Sequence, residues 1–187
     1  LPADGTRLVA VIYIDEDQPL AVTEVTLEGA TQGATEGEQT RLHALLPLEV
    51  GDDFTEARYR DGERRLRSDL RERGFARAQV SRTAEVDVDH DRVRVAYHIT
   101  PGPPCRFGTI DIRGTQQVSA EVIRRELAFA PAEPFRESAL EITRAHLAGL
   151  NLFRTIRIDE VPGADDAVDI RVVVAEAPPR DVRLGLG

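Results

Sequence analysis

The alternation of apolar and polar positions after Gly74 predicts two successive strands. In the first run, six apolar residues share one parity: Ala76, Ala78, Val80, Ala84, Val86 and Val88. A polar turn at 89–91 follows, and a second alternating run carries Val93, Val95, Tyr97 and Ile99. A period of two is typical of strands that bury one face. We therefore predict that a half-buried strand turns and runs back as a second one.

Two helices are predicted before these strands. The first spans 38–46, ends before Pro47, and has an apolar face of Leu42, Leu45 and Leu46. The second begins at 51–55 and ends at Gly74, and its apolar positions are Tyr59, Leu66 and Leu70. Those three lie on one stripe of a 3.6-residue period, which is typical of a helix packed on a core.

The same order of elements occurs twice. Val22 and Phe107 each begin a short strand, 85 residues apart, and the glycines that close the two strands, Gly29 and Gly114, are also 85 apart. The second copy continues with helices through Val122, Ile123 and Leu127 and through Leu140, Leu147 and Leu150, and with strands at 156–158 and 168–174. A fixed offset indicates an internal repeat. We predict two units of about 80 residues, each running strand, helix, helix, strand, strand.

This arrangement predicts an α+β fold. The aliphatic face of each three-stranded sheet needs two helices to cover it, and the opposite face is polar. A three-stranded sheet also has two edges whose backbone groups can pair with a partner strand. The apolar run at 7–14 corresponds to the last strand of a unit. We therefore expect the opening residues to be the tail of an earlier copy, and the chain to be part of something larger.

Composition excludes several classes. The net charge of −9 argues against nucleic-acid binding and against electrostatic binding to anionic lipids. No run approaches the ~18 apolar residues of a membrane helix. The single cysteine, Cys105, cannot form an internal disulfide and has no partnered base, so we expect it to be packed at the joint between the units.

The spacing of the polar residues does not favour a metal site or a catalytic site. Asp87, Asp89 and Asp91 alternate as the first ligands of an EF-hand calcium loop do. Such a loop requires glycine at its sixth position and glutamate at its twelfth, but this sequence has Arg92 and His98 there. The histidines have no ligand spacing; they are His43, His90, His98 and His146. We expect a polar hairpin turn, and no catalytic residue, metal or cofactor. The arginines of the second helix alternate with acids, which predicts a solvated face with small ion pairs.

The order of elements resembles the POTRA (polypeptide-transport-associated) domain. The matching segments are the passage 97–114 with its Pro-Gly-Pro-Pro joint, Val118-Ser119 at a helix start, Phe135, and 152–158. The end of the chain, 176–187, resembles the junction at which the last POTRA domain enters the barrel of BamA- and TamA-like proteins. We favour TamA-like, because those proteins have three such domains. The implied boundaries are a preceding tail at 1–20, POTRA domains at 21–101 and 102–178, and the barrel junction at 179–187.

The resemblance implies a periplasmic scaffold of a Gram-negative outer-membrane protein, without enzymatic activity. Its expected partners are unfolded outer-membrane or secreted polypeptides, accessory assembly subunits and its own C-terminal transmembrane β-barrel. Strand addition is expected at the first strand of each C-terminal hairpin, at Arg77, Gln79, Ser81, Thr83, Arg154, Thr155, Arg157 and Asp159. A stiff joint between the domains is expected at Pro101, Gly102, Pro103, Pro104 and Cys105.

Two alternatives remain open at this point. The chain could be the POTRA region of a two-partner secretion transporter. It could also be a periplasmic enzyme domain that uses paired carboxylates, although no two acids stand out at the ends of apolar elements.

Overall fold

The structure, a computed structural model, describes residues 19–29 and 36–178. The first unit contains β1 (Ala21–Gly29), α1 (Glu36–His43), α2 (Glu56–Glu72), β2 (Gln79–Asp87) and β3 (Arg92–Thr100). The second contains β4 (Arg106–Arg113), α3 (Ala120–Arg125), α4 (Glu137–Gly149), β5 (Phe153–Pro162) and β6 (Ala167–Glu176). The repeated βααββ order and the α+β class are confirmed.

Each unit has one mixed sheet whose last strand is in the middle. The order is β1-β3-β2 in the first sheet and β4-β6-β5 in the second. The central strands, β3 and β6, pair in parallel with β1 and β4 and antiparallel with β2 and β5. Both sheets therefore place the first strand of the C-terminal hairpin at an edge.

The two units have separate hydrophobic cores on the helix-facing side of their sheets. In the first, the stripe predicted from periodicity is buried: Tyr59, Leu66 and Leu70 pack with Val93, Val95, Tyr97 and Ile99 of β3. In the second, Leu140 and Leu147 of α4 pack with alternate residues of β6 and with Phe107, Phe129 and Phe135. Phe107 stacks on Phe129 with ring centroids 4.2 Å apart. Aromatic contacts of this kind supply much of the core of the second unit.

The glycines that close the first strand of each unit are required for the same structural reason. Gly29 and Gly114 both have φ of +88°, the left-handed region that glycine adopts without strain. A Cβ at Gly29 would also collide with the carbonyl oxygen of Ile99, and one at Gly114 with that of Val174. Each glycine therefore lets the first strand end against the backbone of the central strand.

Several predicted boundaries were wrong. α1 ends at His43, before Leu45 and Leu46. α2 begins at Glu56, because Thr55 is extended and its hydroxyl caps the amide of Arg58. Leu150 follows the end of α4 as its cap.

The first hairpin strand begins later than predicted, at Gln79. Its alternation also continues past the core, since Val86 is 49% exposed and Val88, in the turn, is 75% exposed. Strand β5, in contrast, extends at both ends beyond the predicted 156–158.

The predicted strand at 7–14, the rest of the preceding tail to residue 18, and the barrel junction at 179–187 lie outside the described residues. Within the described ranges, no helix has the length and hydropathy needed to cross a membrane.

Candidate polypeptide-binding edges

The start of the outer edge of β1 is covered by the segment that leads into α2. The amide of Val22 donates to the carbonyl of Asp52 at 2.9 Å, and Gly51 donates back to Val22 at 2.8 Å. Phe54 donates to the carbonyl of Leu20 at 2.8 Å. These bonds use backbone groups of Leu20 and Val22 that a visiting strand would need, so the β1 edge is blocked at its start.

The second unit covers the start of β4 in the same way. Phe107 donates to the carbonyl of Glu133 at 2.9 Å and accepts from Ala132 at 2.7 Å. Phe135 donates to the carbonyl of Cys105 at 3.0 Å. The covering segment thus occurs in both copies of the repeat.

The outer edges of β2 and β5 are open. Over 19–29 and 36–178, no strand or isolated bridge pairs with the side of β2 that faces away from β3, or with the side of β5 that faces away from β6. An edge strand of nine or ten residues with unpaired backbone groups can accept another chain by strand addition. The sequence left two candidate edges per sheet, and the structure covers the start of one of them with backbone from the same unit.

The predicted β2 residues lie on the solvent side of the sheet. Gln79, Ser81 and Thr83 are exposed members of the strand, and the buried Val80 between them faces the helices. Thr83 Oγ1 lies 3.3 Å from Nε2 of His98 on β3. His98 is therefore on the polar face, as predicted.

Arg77, which we expected in the same edge strand, lies in a turn before β2. Its guanidinium donates to the carbonyl oxygens of Asp165 and Ala167 in the second unit, each at 3.2 Å. The side chain is held there by the neighbouring unit, so its placement on the β2 edge was wrong.

The predicted β5 residues all lie in that strand. Arg154, Thr155 and Arg157 are exposed, and Asp159 is half-buried with its carboxylate 3.0 Å from Nε of Arg157. Two features interrupt this edge: the pairing register shifts between Phe153 and Thr155, and Pro162 ends the strand. The uninterrupted part of β5 is therefore shorter than β2.

A cation lies on the helix side of the β2 edge. Arg82 points toward α2, where its Nε donates to Glu63 and its guanidinium carbon lies 4.5 Å from the ring centroid of Tyr59. Burial opposes its charge, but the hydrogen bonds that Arg82 donates to Glu63 and Glu56 outweigh that effect and raise the pKa of Arg82. The edge thus carries a charged side chain held in place, a common way to keep an edge strand soluble.

The two units contact each other through the end of α2. Arg71 Nε donates to Glu137 Oε1 at 2.7 Å, and its Nη2 donates to Glu160. Ser138 of α4 donates to Glu72 through its amide at 2.9 Å and its hydroxyl at 2.7 Å. Only 15% of the Arg71 side chain is exposed. The prediction of a solvated arginine face therefore missed this contact, because local spacing carries no information about a partner about 66 residues away.

Three other α2 arginines pair with acids at the helical spacing that the sequence predicts. Arg60 pairs with Glu56 at 2.7 Å, Arg65 with Asp61 at 2.8 Å, and Arg64 also with Asp61. The arginines of these pairs are exposed, and each pair contributes at most about 1 kcal/mol.

The predicted joint is built around Cys105. Its amide donates to the carbonyl of Gly74 in the first unit at 2.7 Å, and its thiol lies 3.4 Å from the carbonyl oxygen of Pro103. Cys105 is 2% exposed, and Ala76 of the first unit belongs to the same hydrophobic core. The expectation of a small side chain packed at the joint agrees with this geometry; how stiff the joint is stays a prediction.

The aspartates of the first hairpin form its turn. Asp87 accepts from the amide of Asp89 at 3.2 Å and lies 3.0 Å from Nδ1 of His90. The hydrogen bond from His90 lowers the pKa of Asp87. Among the residues that the structure describes, no group of three or more His, Cys, Asp or Glu side chains is arranged to hold a metal ion.

Comparison with known proteins identifies a curated relative of this chain. The chain is 24% identical over 186 residues to the outer membrane protein assembly factor BamA of Neisseria meningitidis serogroup B, covering 98% of this chain and 23% of that protein. The chain thus spans about a quarter of the length of this curated relative. The preference for a TamA-like protein stays a prediction.

Solved structures share the fold. The POTRA3-5 structure of Haemophilus influenzae BamA matches with a TM-score of 0.72 and 21% identity, covering 83% of this chain and 61% of that one. BamA from Haemophilus ducreyi lacking POTRA domains 1-3 matches with a TM-score of 0.67 and 18% identity, covering 86% and 30%.

The family model for POTRA, described as the surface antigen variable number repeat, matches residues 21–102 and 105–177. These two matches cover most of the chain, one for each βααββ unit, and the chain therefore belongs to the POTRA family.

Proposed function

We propose that this chain is a periplasmic scaffold of an outer-membrane β-barrel assembly or translocation protein. In this role it binds client polypeptides or accessory subunits by strand addition at the edges of β2 and β5. Membership of the POTRA family and similarity to BamA support the scaffold role. POTRA domains of BamA proteins are non-enzymatic scaffolds, which also supports the expectation that the chain is not an enzyme.

The observation that carries the binding mode is the contrast between the edges. In both units, a segment of the chain's own backbone covers the start of the first strand's edge, while no described strand pairs with the outer edge of the first hairpin strand. Backbone pairing at an open edge depends little on side-chain identity. That property suits a protein that receives many different extended polypeptides.

Proline substitution tests this binding mode, because proline has no amide hydrogen and obstructs an incoming strand. Successive amides of a strand point to opposite sides, so we would compare Thr83→Pro with Ala84→Pro in β2. In one of these two variants the missing amide is the one that points away from β3, so the hydrogen bonds between β2 and β3 remain. Circular dichroism and thermal melting identify that variant as the one that stays folded. We would make Arg157→Pro and Ile158→Pro in β5 for the same reason.

The readout is a titration with a capped extended peptide of alternating valine and threonine. We expect the folded proline variant of at least one edge to bind the peptide at least about tenfold more weakly, since several backbone hydrogen bonds are lost. Unchanged affinity in the folded variants of both edges would refute strand addition while leaving the family assignment intact.

A further inference from the structure

A pocket of about 310 Å³ lies along the start of the open β2 edge. It is lined by Arg67 of α2, residues 78–81, and His98 and Thr100 of β3. Val80 faces the helices, whereas Ser81 faces the opposite side, so the pocket spans the edge from one face of the sheet to the other. A strand added to β2, about 4.8 Å away, would lie along this pocket.

The lining is unusual for so acidic a chain. The protein has 33 aspartates and glutamates and a net charge of −9, yet none of the described residues that line this pocket is acidic. The lining instead offers a guanidinium, an imidazole, hydroxyls and an amide. By contrast, the groove between α2 and α4 is lined by several carboxylates, including Asp69, Glu72 and Glu137.

Arg67 is the charged group best placed to meet a ligand. Its Nη1 lies 3.8 Å from Glu63 Oε1, beyond hydrogen-bond distance, and Glu63 uses its other oxygen to accept from Arg82. Nearly half of the Arg67 side chain, 48%, is exposed. His98, on the other side of the sheet, is already within 2.9 Å of Glu28. The helix side of the pocket is therefore the side that favours an anion.

The second unit lacks this feature. Buried Leu66 of α2 and Leu147 of α4 occupy corresponding places in the two helices, so Ala148 corresponds to Arg67. In addition, Glu160 on β5 is bound by Arg71 of the first unit. The two open edges differ in charge as well as in length.

We propose that the β2 edge selects extended polypeptide segments with an aspartate or glutamate side chain that faces the helices opposite Val80 and pairs with Arg67. This inference rests on the proposed strand addition and adds a preference in client chemistry. Residues on either side of the acid face the polar side of the sheet, where Gln79 and Ser81 favour hydroxyl or amide side chains.

The test uses two capped peptides, acetyl-Thr-Val-Thr-Glu-Thr-Val-Thr-amide and the same peptide with glutamine in the centre. Capping removes the terminal carboxylate, so the glutamate side chain is the only anion. Binding is followed by amide chemical shifts of β2 in the full 187-residue chain, Arg67→Gln and the matched control Arg65→Gln. Arg65 is on the same helix and pairs with Asp61, so its loss changes the net charge equally.

We expect the wild type and Arg65→Gln to bind the glutamate peptide about two- to fivefold more tightly than the glutamine peptide, the range for an exposed ion pair. Arg67→Gln should bind both equally and retain the affinity for the glutamine peptide. Equal affinities in the wild type, or a preference that persists in Arg67→Gln, would overturn the inference and leave strand addition standing. No shift at β2 with either peptide would overturn the inference, and no shift at β5 as well would refute strand addition.

Discussion

The guanidinium of Arg71 in the first unit lies over the ring of Phe135 in the second, with its central carbon 5.2 Å from the ring centroid. Burial opposes the charge of Arg71, but the hydrogen bonds that it donates to Glu160 and Glu137 outweigh this effect and raise the pKa of the guanidinium. A single side chain thus combines a cation–π contact with two ion pairs across the joint.

Replacing Arg71 with alanine should therefore loosen the orientation of one unit relative to the other. Spin labels at Glu85→Cys and Glu141→Cys, both exposed, would report the distance between the units, while the buried Cys105 stays unlabelled. We expect a broader distance distribution in Arg71→Ala. The control Arg65→Ala should leave the width unchanged, and an unchanged width in Arg71→Ala would contradict the role assigned to this residue.

Gly62 of α2 makes room for Tyr97 of β3. An added Cβ would lie 2.8 Å from Cζ of Tyr97 and closer still to its hydroxyl, which donates to the carbonyl of Tyr59 at 3.1 Å. Burial raises the pKa of Tyr97 to about 12. Gly62→Ala should lower the free energy of unfolding by about 1–3 kcal/mol through overpacking, as measured by urea denaturation.

A second glycine serves as the control for Gly62. Gly149 ends α4, and a Cβ there meets nothing within 4 Å among the described residues. Gly149→Ala should therefore stabilise its helix by about 0.5–1 kcal/mol. Equal effects of the two substitutions would show that the contact with Tyr97 is unimportant.

Thr143 is a fully buried polar side chain of the second unit. Its hydroxyl donates to the carbonyl of Ala139 at 2.8 Å and accepts from the amide of Ala128 at 2.9 Å. Thr143→Val leaves that amide unpaired and should cost about 1–3 kcal/mol. Hydrogen exchange of the Ala128 amide should be faster in Thr143→Val and remain slow in Thr143→Ser; slow exchange in both would rule out this bond as the cause.

Glu176 predicts a dependence of stability on pH. Its carboxylate accepts from the amides of Gln116 at 2.6 Å, Val118 at 2.9 Å and Gln117 at 3.0 Å. These amides, that of Gln116 first, lower its pKa. Because the folded-state pKa is below the unfolded value of about 4.3, the stabilisation is present above that pH and is lost as the pH falls through the folded-state pKa.

The comparison with Glu176→Gln isolates this effect, because glutamine carries no charge at any pH. The wild type should melt at a higher temperature than Glu176→Gln at neutral pH, and the difference should shrink as the pH falls below about 4. A difference that is constant across this range would contradict the charge-based explanation.

The sequence predicted the features that depend on local periodicity and on the repeat. The parity of Val93 to Ile99, the stripe through Leu66, and the paired glycines at 29 and 114 were sufficient to predict two βααββ units. Boundaries were less predictable, because caps such as Thr55 depend on backbone conformation as well as residue type.

The candidate site needed three-dimensional information. Alternation identified β2 and β5 as strands, but whether an edge is open depends on where the segments before α2 and α4 lie. Arg77 illustrates the limit: it continues the alternation of β2 in the sequence, yet it is held by carbonyl oxygens of the second unit.

Hydrogen exchange on the amides of β2 and β5, with a capped extended peptide bound, tests strand addition most directly. An added strand donates to and accepts from every second residue of the edge, so we expect alternate amides in 79–87 or 153–162 to become protected. If the peptide binds and exchange in both strands stays unchanged, the central claim that these open edges receive a polypeptide strand is wrong.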